Sequence, residues 1–147
     1  PALATIYNNI GFVYDKKGDY TTALLYYDKT RKILESVLDG NHPDLATIYN
    51  NIGVSYAQKG DYDIALRYYD KAMKIRERVF GDNHPSLATT YNNIGSVYYK
   101  KNDYDTTLEY LDKAMKICEL VFDEENPLRK TVKEHIETVK QKMKEQK

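Results

Sequence analysis

Apolar positions along this chain fall into two kinds of stripe that alternate and then return. Between residues 43 and 84, Leu45, Tyr49, Ile52 and Tyr56 are spaced by 4, 3 and 4, which places them on one face of an amphipathic helix, helix A. A second stripe follows at three- and four-residue steps: Tyr62, Ala65, Leu66, Tyr69, Ala72, Met73, Ile75 and Val79, with Arg, Lys and Asp between them. These predict helix B.

The same pair recurs with a fixed period. Pro1, Pro43, Pro85 and Pro127 each open a unit, 42 residues apart. The motif Asn-Asn-Ile-Gly stands at Asn8 to Gly11, Asn50 to Gly53 and Asn92 to Gly95, followed by Tyr14, Tyr56 and Tyr98. The predicted organisation is a single repeat domain over 1–147: units 1–42, 43–84 and 85–126, then a helix over 127–147.

Local signals agree with this division. Gly18, Gly60 and Asn102 close the A helices, being residues that enter the left-handed conformation helix ends often need. Asp19, Asp61 and Asp103 follow at once and suit the N-caps of the B helices. His42, His84 and Asn126 precede a proline, which is tolerated at the first helical position. The fourth unit has Glu134, His135 and Glu137 where the others have Asn, Asn and Gly. Its apolar stripe of Leu128, Val132, Ile136, Val139 and Met143 opposite Arg129, Lys130, Lys133, Lys140, Lys142 and Lys144 reads as a capping helix with a solvated back.

Tyr49, Ile52-Gly53, Tyr56, Gly60, Ala65, Tyr69 and Ala72 resemble the tetratricopeptide repeat (TPR) pattern. The 42-residue length, with closing loops at Gly40–Pro43 and Gly81–Pro85, resembles the longer form found in kinesin light chain and nephrocystin-like proteins. Thr30 and Thr107 replace small alanines, and Leu111 replaces the second aromatic; all three are core positions. The resemblance implies an all-α, right-handed α-solenoid that buries each unit against the next and lines a concave groove with its A helices. It assigns to that groove Thr5, Asn8, Asn9 and Phe12, then Thr47, Asn50, Asn51 and Val54, then Thr89, Asn92, Asn93 and Ser96, flanked by Lys16, Gln58 and Lys100.

An Asn amide offers donors and an acceptor, so a row of them suits the backbone of an extended peptide. The same amides also suit bonds between neighbouring A helices. Family members that grip a C-terminal carboxylate do so with Lys or Arg in the groove. Here Thr5, Asn8, Thr89 and Asn93 stand at those places, which argues against a carboxylate clamp.

Charge narrows the partners. Lys plus Arg and Asp plus Glu are equal at 22 each, so no global field gathers nucleic acid or an anionic membrane. No apolar run reaches the roughly 18 to 20 residues of a membrane span. One cysteine, Cys118, excludes an internal disulfide framework and fits a reducing, cytoplasmic setting. The start at Pro1 inside a repeat, without a methionine or an apolar leader, reads as a piece of a longer array.

No enzyme, metal or cofactor is expected. Loops one repeat apart hold His42 and His84 at about a helix diameter, roughly 10 Å, too far to share a zinc whose ligands sit about 2 Å away. Cys118 shares its register with Arg76 and Leu34 and reads as a tolerant flank of helix B. The fifteen tyrosines recur mostly on core stripes and read as packing residues. Two functions fit: a peptide-binding scaffold for a protein ligand, or an architectural array that self-associates or stacks with flanking repeats through an exposed N-terminal face.

Overall fold

The computed structural model describes residues 2–146, so Pro1 and its expected first-turn role lie outside the described residues, as does Lys147. Among the described residues seven helices follow one another: α1 (Ala2–Lys16), α2 (Tyr20–Val37), α3 (Pro43–Lys59), α4 (Tyr62–Phe80), α5 (Pro85–Lys100), α6 (Tyr104–Val121) and α7 (Pro127–Glu145). They form two compact units, Pro1–Val79 and Phe80–Lys147. The first holds the first two helix pairs; the second holds the third pair and α7.

The helix boundaries follow from the capping residues. Gly18, Gly60 and Asn102 have φ of 82°, 88° and 65°, the left-handed turn predicted for the ends of the A helices. Asp19 accepts from the Thr22 N–H at 3.1 Å and Asp103 from the Thr106 N–H at 3.2 Å. His42 and His84 accept through Nδ1 from the N–H groups of Asp44 and Ser86, at 3.0 and 3.1 Å. Asn126 accepts from Arg129 N–H at 3.1 Å. Both imidazoles are therefore occupied as helix caps, each with its proton on Nε2.

In unit Pro1–Val79, α1 packs on α2 and α2 on α3, around Tyr27, Leu34, Leu45, Ile48, Tyr49 and Ile52. Gly11 and Gly53 permit the close approach of each pair: a methyl group on either would lie 2.7 Å from a ring carbon of Tyr27 or Tyr69. Each pair also carries a three-tyrosine ladder. Tyr14 and Tyr56 stack on Tyr26 and Tyr68 with centroids 6.0 Å apart, while Tyr7 and Tyr49 meet the same rings at 42° and 45°. Lys29 and Lys71 lie over these rings at 5.3 to 5.9 Å, within cation–π range. Tyr49 donates to Glu35 Oε2 at 2.7 Å, and Glu35 is paired with Arg31, so a polar link ties α2 to α3.

Unit Phe80–Lys147 repeats the plan with Tyr91, Tyr98, Tyr110 and Lys113. Here α6 packs on both α5 and α7, and α5 touches α7. The expected stripe of α7 is observed: Val132 and Val139 are buried, and Leu128, Ile136 and Met143 are partly so. Arg129 departs from the solvated back, since its guanidinium donates to the Phe122 carbonyl at 2.9 Å.

Cys118 requires a correction. It is fully buried, and Leu34 and Arg76 at the same register are buried too, at 8 and 9 % exposure. This position is an inner surface of each B helix, not a tolerant flank. Burial pushes the Cys118 thiol up, which disfavours the thiolate a nucleophile needs.

Candidate functional site

Three of the residues expected in the groove meet in one hollow of unit Pro1–Val79. Thr5 and Asn8 reach it from α1 and Thr47 from α3, around a cavity of about 340 Å³. Its floor comes from all three helices: Ala4 from α1, Leu34 from α2 and Ile48 from α3, each buried. Thr30 lies in the same wall, buried, with its hydroxyl hydrogen committed to the Tyr26 carbonyl at 3.1 Å. The result is an apolar base with a polar rim.

The rim contains one residue that the helix-by-helix reading did not single out. Asp44 lines the hollow from the first turn of α3, where the helix N-terminus favours its negative charge. Its carboxylate lies 3.9 Å from His42 Nδ1 and is largely exposed. Thr47 donates to the Pro43 carbonyl at 3.3 Å, which leaves its oxygen as an acceptor. The hollow thus presents acceptors, one of them anionic, beside the Asn8 amide. An anion at this rim repels a carboxylate and welcomes N–H groups, in agreement with the absence of clamp residues.

The remaining expected residues lie elsewhere. Asn9 and Phe12 are exposed on α1, and the Phe12 ring lies beneath the Lys16 ammonium at 5.1 Å. Asn50, Asn51 and Val54 are half-buried on α3. In the second unit Thr89 is exposed and Asn93 half-buried. Asn92 Oδ1 meets His135 Nδ1 of α7 at 2.9 Å, and Ser96 donates to the Asn92 carbonyl at 3.0 Å. Ser96 lines a second cavity of about 190 Å³ with Leu111, His135 and Val139. Among the described helices, none is long and apolar enough to cross a membrane.

Helix pairs stacked through glycine contacts, with hollows between successive helices, define a helical-repeat scaffold. A family model described as tetratricopeptide repeat matches residues 2–66, 44–120 and 86–145. The chain belongs to the tetratricopeptide repeat family, and its fold class is the all-α repeat solenoid. No curated protein matches it. Among solved structures it is similar to BtubC (BKLC) from P. vanneervenii, with 21 % identity and a TM-score of 0.79, covering 97 % of this chain and 65 % of that one. It is also similar to kinesin light chain-like, nearly identical TPR-like repeats from Podosopora anserina, with 16 % identity and a TM-score of 0.83, covering 92 % and 64 %. A third similar structure is the TPR2AB domain of yeast Sti1 in a complex with pHSP90, at 19 % identity and a TM-score of 0.74, covering 98 % and 48 %. The chain therefore spans slightly less than two thirds of the first two structures, and at these identities the likeness establishes the fold.

Proposed function

We propose that this chain is a protein-interaction scaffold that binds an extended segment of a partner polypeptide through its A helices, without catalysis. The observation that carries this reading is the hollow in which Thr5, Asn8, Thr47 and Asp44 stand over Ala4, Leu34 and Ile48. Apolar contact supplies affinity there, while the rim accepts backbone or side-chain N–H donors. The yeast Sti1 domain, solved with pHSP90, supports the scaffold class. The rim chemistry here points to a different end group, since Asp44 disfavours a carboxylate.

The test is a peptide selection against the intact chain, followed by affinity measurements on variants. Asn8→Ala and Thr47→Val each remove one uncharged hydrogen-bond partner and are expected to weaken a selected peptide by about 3- to 10-fold. Asp44→Lys is expected to reverse any preference for basic residues. Affinity should fall only gently with salt, because a single exposed charge is involved. Peptides that bind all three variants like the wild type refute the assignment.

One observation favours the architectural alternative alongside it. On α1, Leu3 and Ile6 are 51 and 53 % exposed, whereas Leu45 and Ile48 at the same repeat positions are each 2 % exposed. This supports self-association, or stacking of a further repeat, through the outer face of α1. Sedimentation velocity should show association that rises with concentration and that Ile6→Lys abolishes; a monomer at millimolar concentration excludes it.

A further inference from the structure

The third helix pair keeps a glycine cradle from which an aromatic ring is missing. Gly11 faces Tyr27 and Gly53 faces Tyr69, each so closely that an added methyl would lie 2.7 Å from the ring. At the same register Gly95 faces Leu111, and the nearest Leu111 carbon would be 3.2 Å from such a methyl. Beside Leu111 lies the cavity of about 190 Å³, with Val139 of α7 also in its wall. An apolar cavity of about 150 Å³ is known to accept benzene, so this one has room for a six-membered ring.

Its polar atoms narrow the occupant further. The Ser96 hydroxyl donates to the Asn92 carbonyl at 3.0 Å, and the Thr138 hydroxyl donates to the Glu134 carbonyl at 2.9 Å. Both hydrogens are committed to their own helices, which leaves both oxygens as acceptors. His135, also in the wall, is held in place by its Nδ1 bond to Asn92 Oδ1 at 2.9 Å. Tyr99 and Lys100 also line the wall, so the slot is apolar with both acceptors and donors at its edge, which matches a ring that carries one hydroxyl, a group able to donate and to accept. In the first unit the comparable ring is itself a phenol, Tyr27, held fully buried near the Asp15 carboxylate.

We propose that the cavity between α5, α6 and α7 binds a tyrosine side chain of a partner polypeptide, taking the phenol that Tyr27 and Tyr69 supply internally in the other two helix pairs. This rests on the peptide-binding reading for the source of the ring, but the cavity is testable by itself. The experiment is an amide-resolved NMR titration of the intact chain with p-cresol and, separately, toluene, repeated with Leu111→Tyr. The wild type should show saturable shifts at Ser96, Leu111, His135 and Val139, with p-cresol bound about 3- to 10-fold more tightly than toluene. Leu111→Tyr should fold at least as stably, because Gly95 already admits a ring, and should lose at least 10-fold in p-cresol affinity. Unchanged p-cresol binding in Leu111→Tyr, or no shifts at the cavity, overturns the site. Toluene binding as tightly as p-cresol overturns the assignment to tyrosine. The pentapeptide Gly-Gly-Tyr-Gly-Gly should compete with p-cresol while its Phe counterpart competes weakly, and failure to compete overturns the polypeptide source. If the Asn8 and Thr47 variants leave peptide binding unchanged yet p-cresol binds here, the hollow of the first unit fails and this cavity stands.

Discussion

The contrast between Gly53 and Gly95 gives the sharpest quantitative test of the packing described above. Replacing either glycine by alanine inside a helix gains about 1 kcal/mol from backbone propensity. Against that stands overpacking, which costs roughly 1 to 3 kcal/mol. At Gly53 the new methyl would lie 2.7 Å from both Cδ1 and Cε1 of Tyr69 and 3.2 Å from Cγ. Tyr69 is only 2 % exposed and its ring is rigid, so it has nowhere to retreat and the cost falls in the upper part of the range. Gly53→Ala should therefore destabilise by about 1 to 2 kcal/mol net. At Gly95 the neighbours are the Leu111 Cδ2 and Cγ at 3.2 and 3.3 Å, beside an open cavity into which that flexible side chain can move. There the two terms should cancel to within about 0.5 kcal/mol. Guanidinium unfolding followed by far-UV circular dichroism measures both. Because the chain has two compact units, hydrogen exchange of α3–α4 and α5–α6 amides should accompany it, so that each loss is assigned to its own unit. A double-mutant cycle completes the test: in a Tyr69→Leu background, Gly53→Ala should become cheaper by at least about 1 kcal/mol. Equal costs at the two glycines, or a cycle with no coupling, would refute the ring-in-cradle account.

Two further outcomes follow from the same structure. Burial raises the phenols of Tyr27, Tyr49, Tyr56 and Tyr69, that of Tyr27 to about 12 with Asp15 contributing. The unfolded chain then loses these protons first, near pH 10, and stability falls as pH rises. The Tyr27 contribution should be intact below about pH 10 and gone above about 12; Tyr27→Phe should flatten the melting temperature against pH across that window, and an identical profile would contradict it. Asn102 sits at φ 65° in an exposed turn, so Asn102→Ala should lose about 1 kcal/mol while Asn102→Gly, the residue of the other two turns, should lose nothing; equal denaturation midpoints would exclude the left-handed turn.

Much of the fold was legible because a 42-residue period repeats every signal three times. Gly18, Gly60 and Asn102 confirm one another as turn residues, and Leu45, Tyr49, Ile52 and Tyr56 declare a buried face without reference to any partner. Cys118 was misread for an instructive reason. Leu, Arg and Cys at one register look like chemical tolerance, yet all three are buried, and dissimilar chemistry does not mean exposure when long aliphatic stems can pack. Asp44 escaped notice because the hollow draws on α1, α2 and α3 together, and no single-helix pattern displays such a set. The vacancy beside Leu111 was equally hidden. A leucine for a tyrosine preserves hydrophobicity, and only the packing shows that it does not preserve volume.

The asparagine pairs, which first suggested a binding row, divide on physical grounds. His135 occupies the register of Asn9, Asn51 and Asn93, and it bonds to Asn92 from the next A-type helix. At this step the first residue of a pair therefore has a structural partner 43 positions along the chain, and a ligand reaching Asn92 has to displace or share that bond. Replacing a half-buried, satisfied hydrogen bond by a bond to a ligand yields little net free energy. Affinity then has to come from places where polar groups border unfilled apolar space. The chain has one such place around Thr5, Asn8, Thr47 and Asp44 and another beside Leu111. An N–H-rich stretch suits the first and a phenol the second, so on these readings each hollow selects a different feature of a partner.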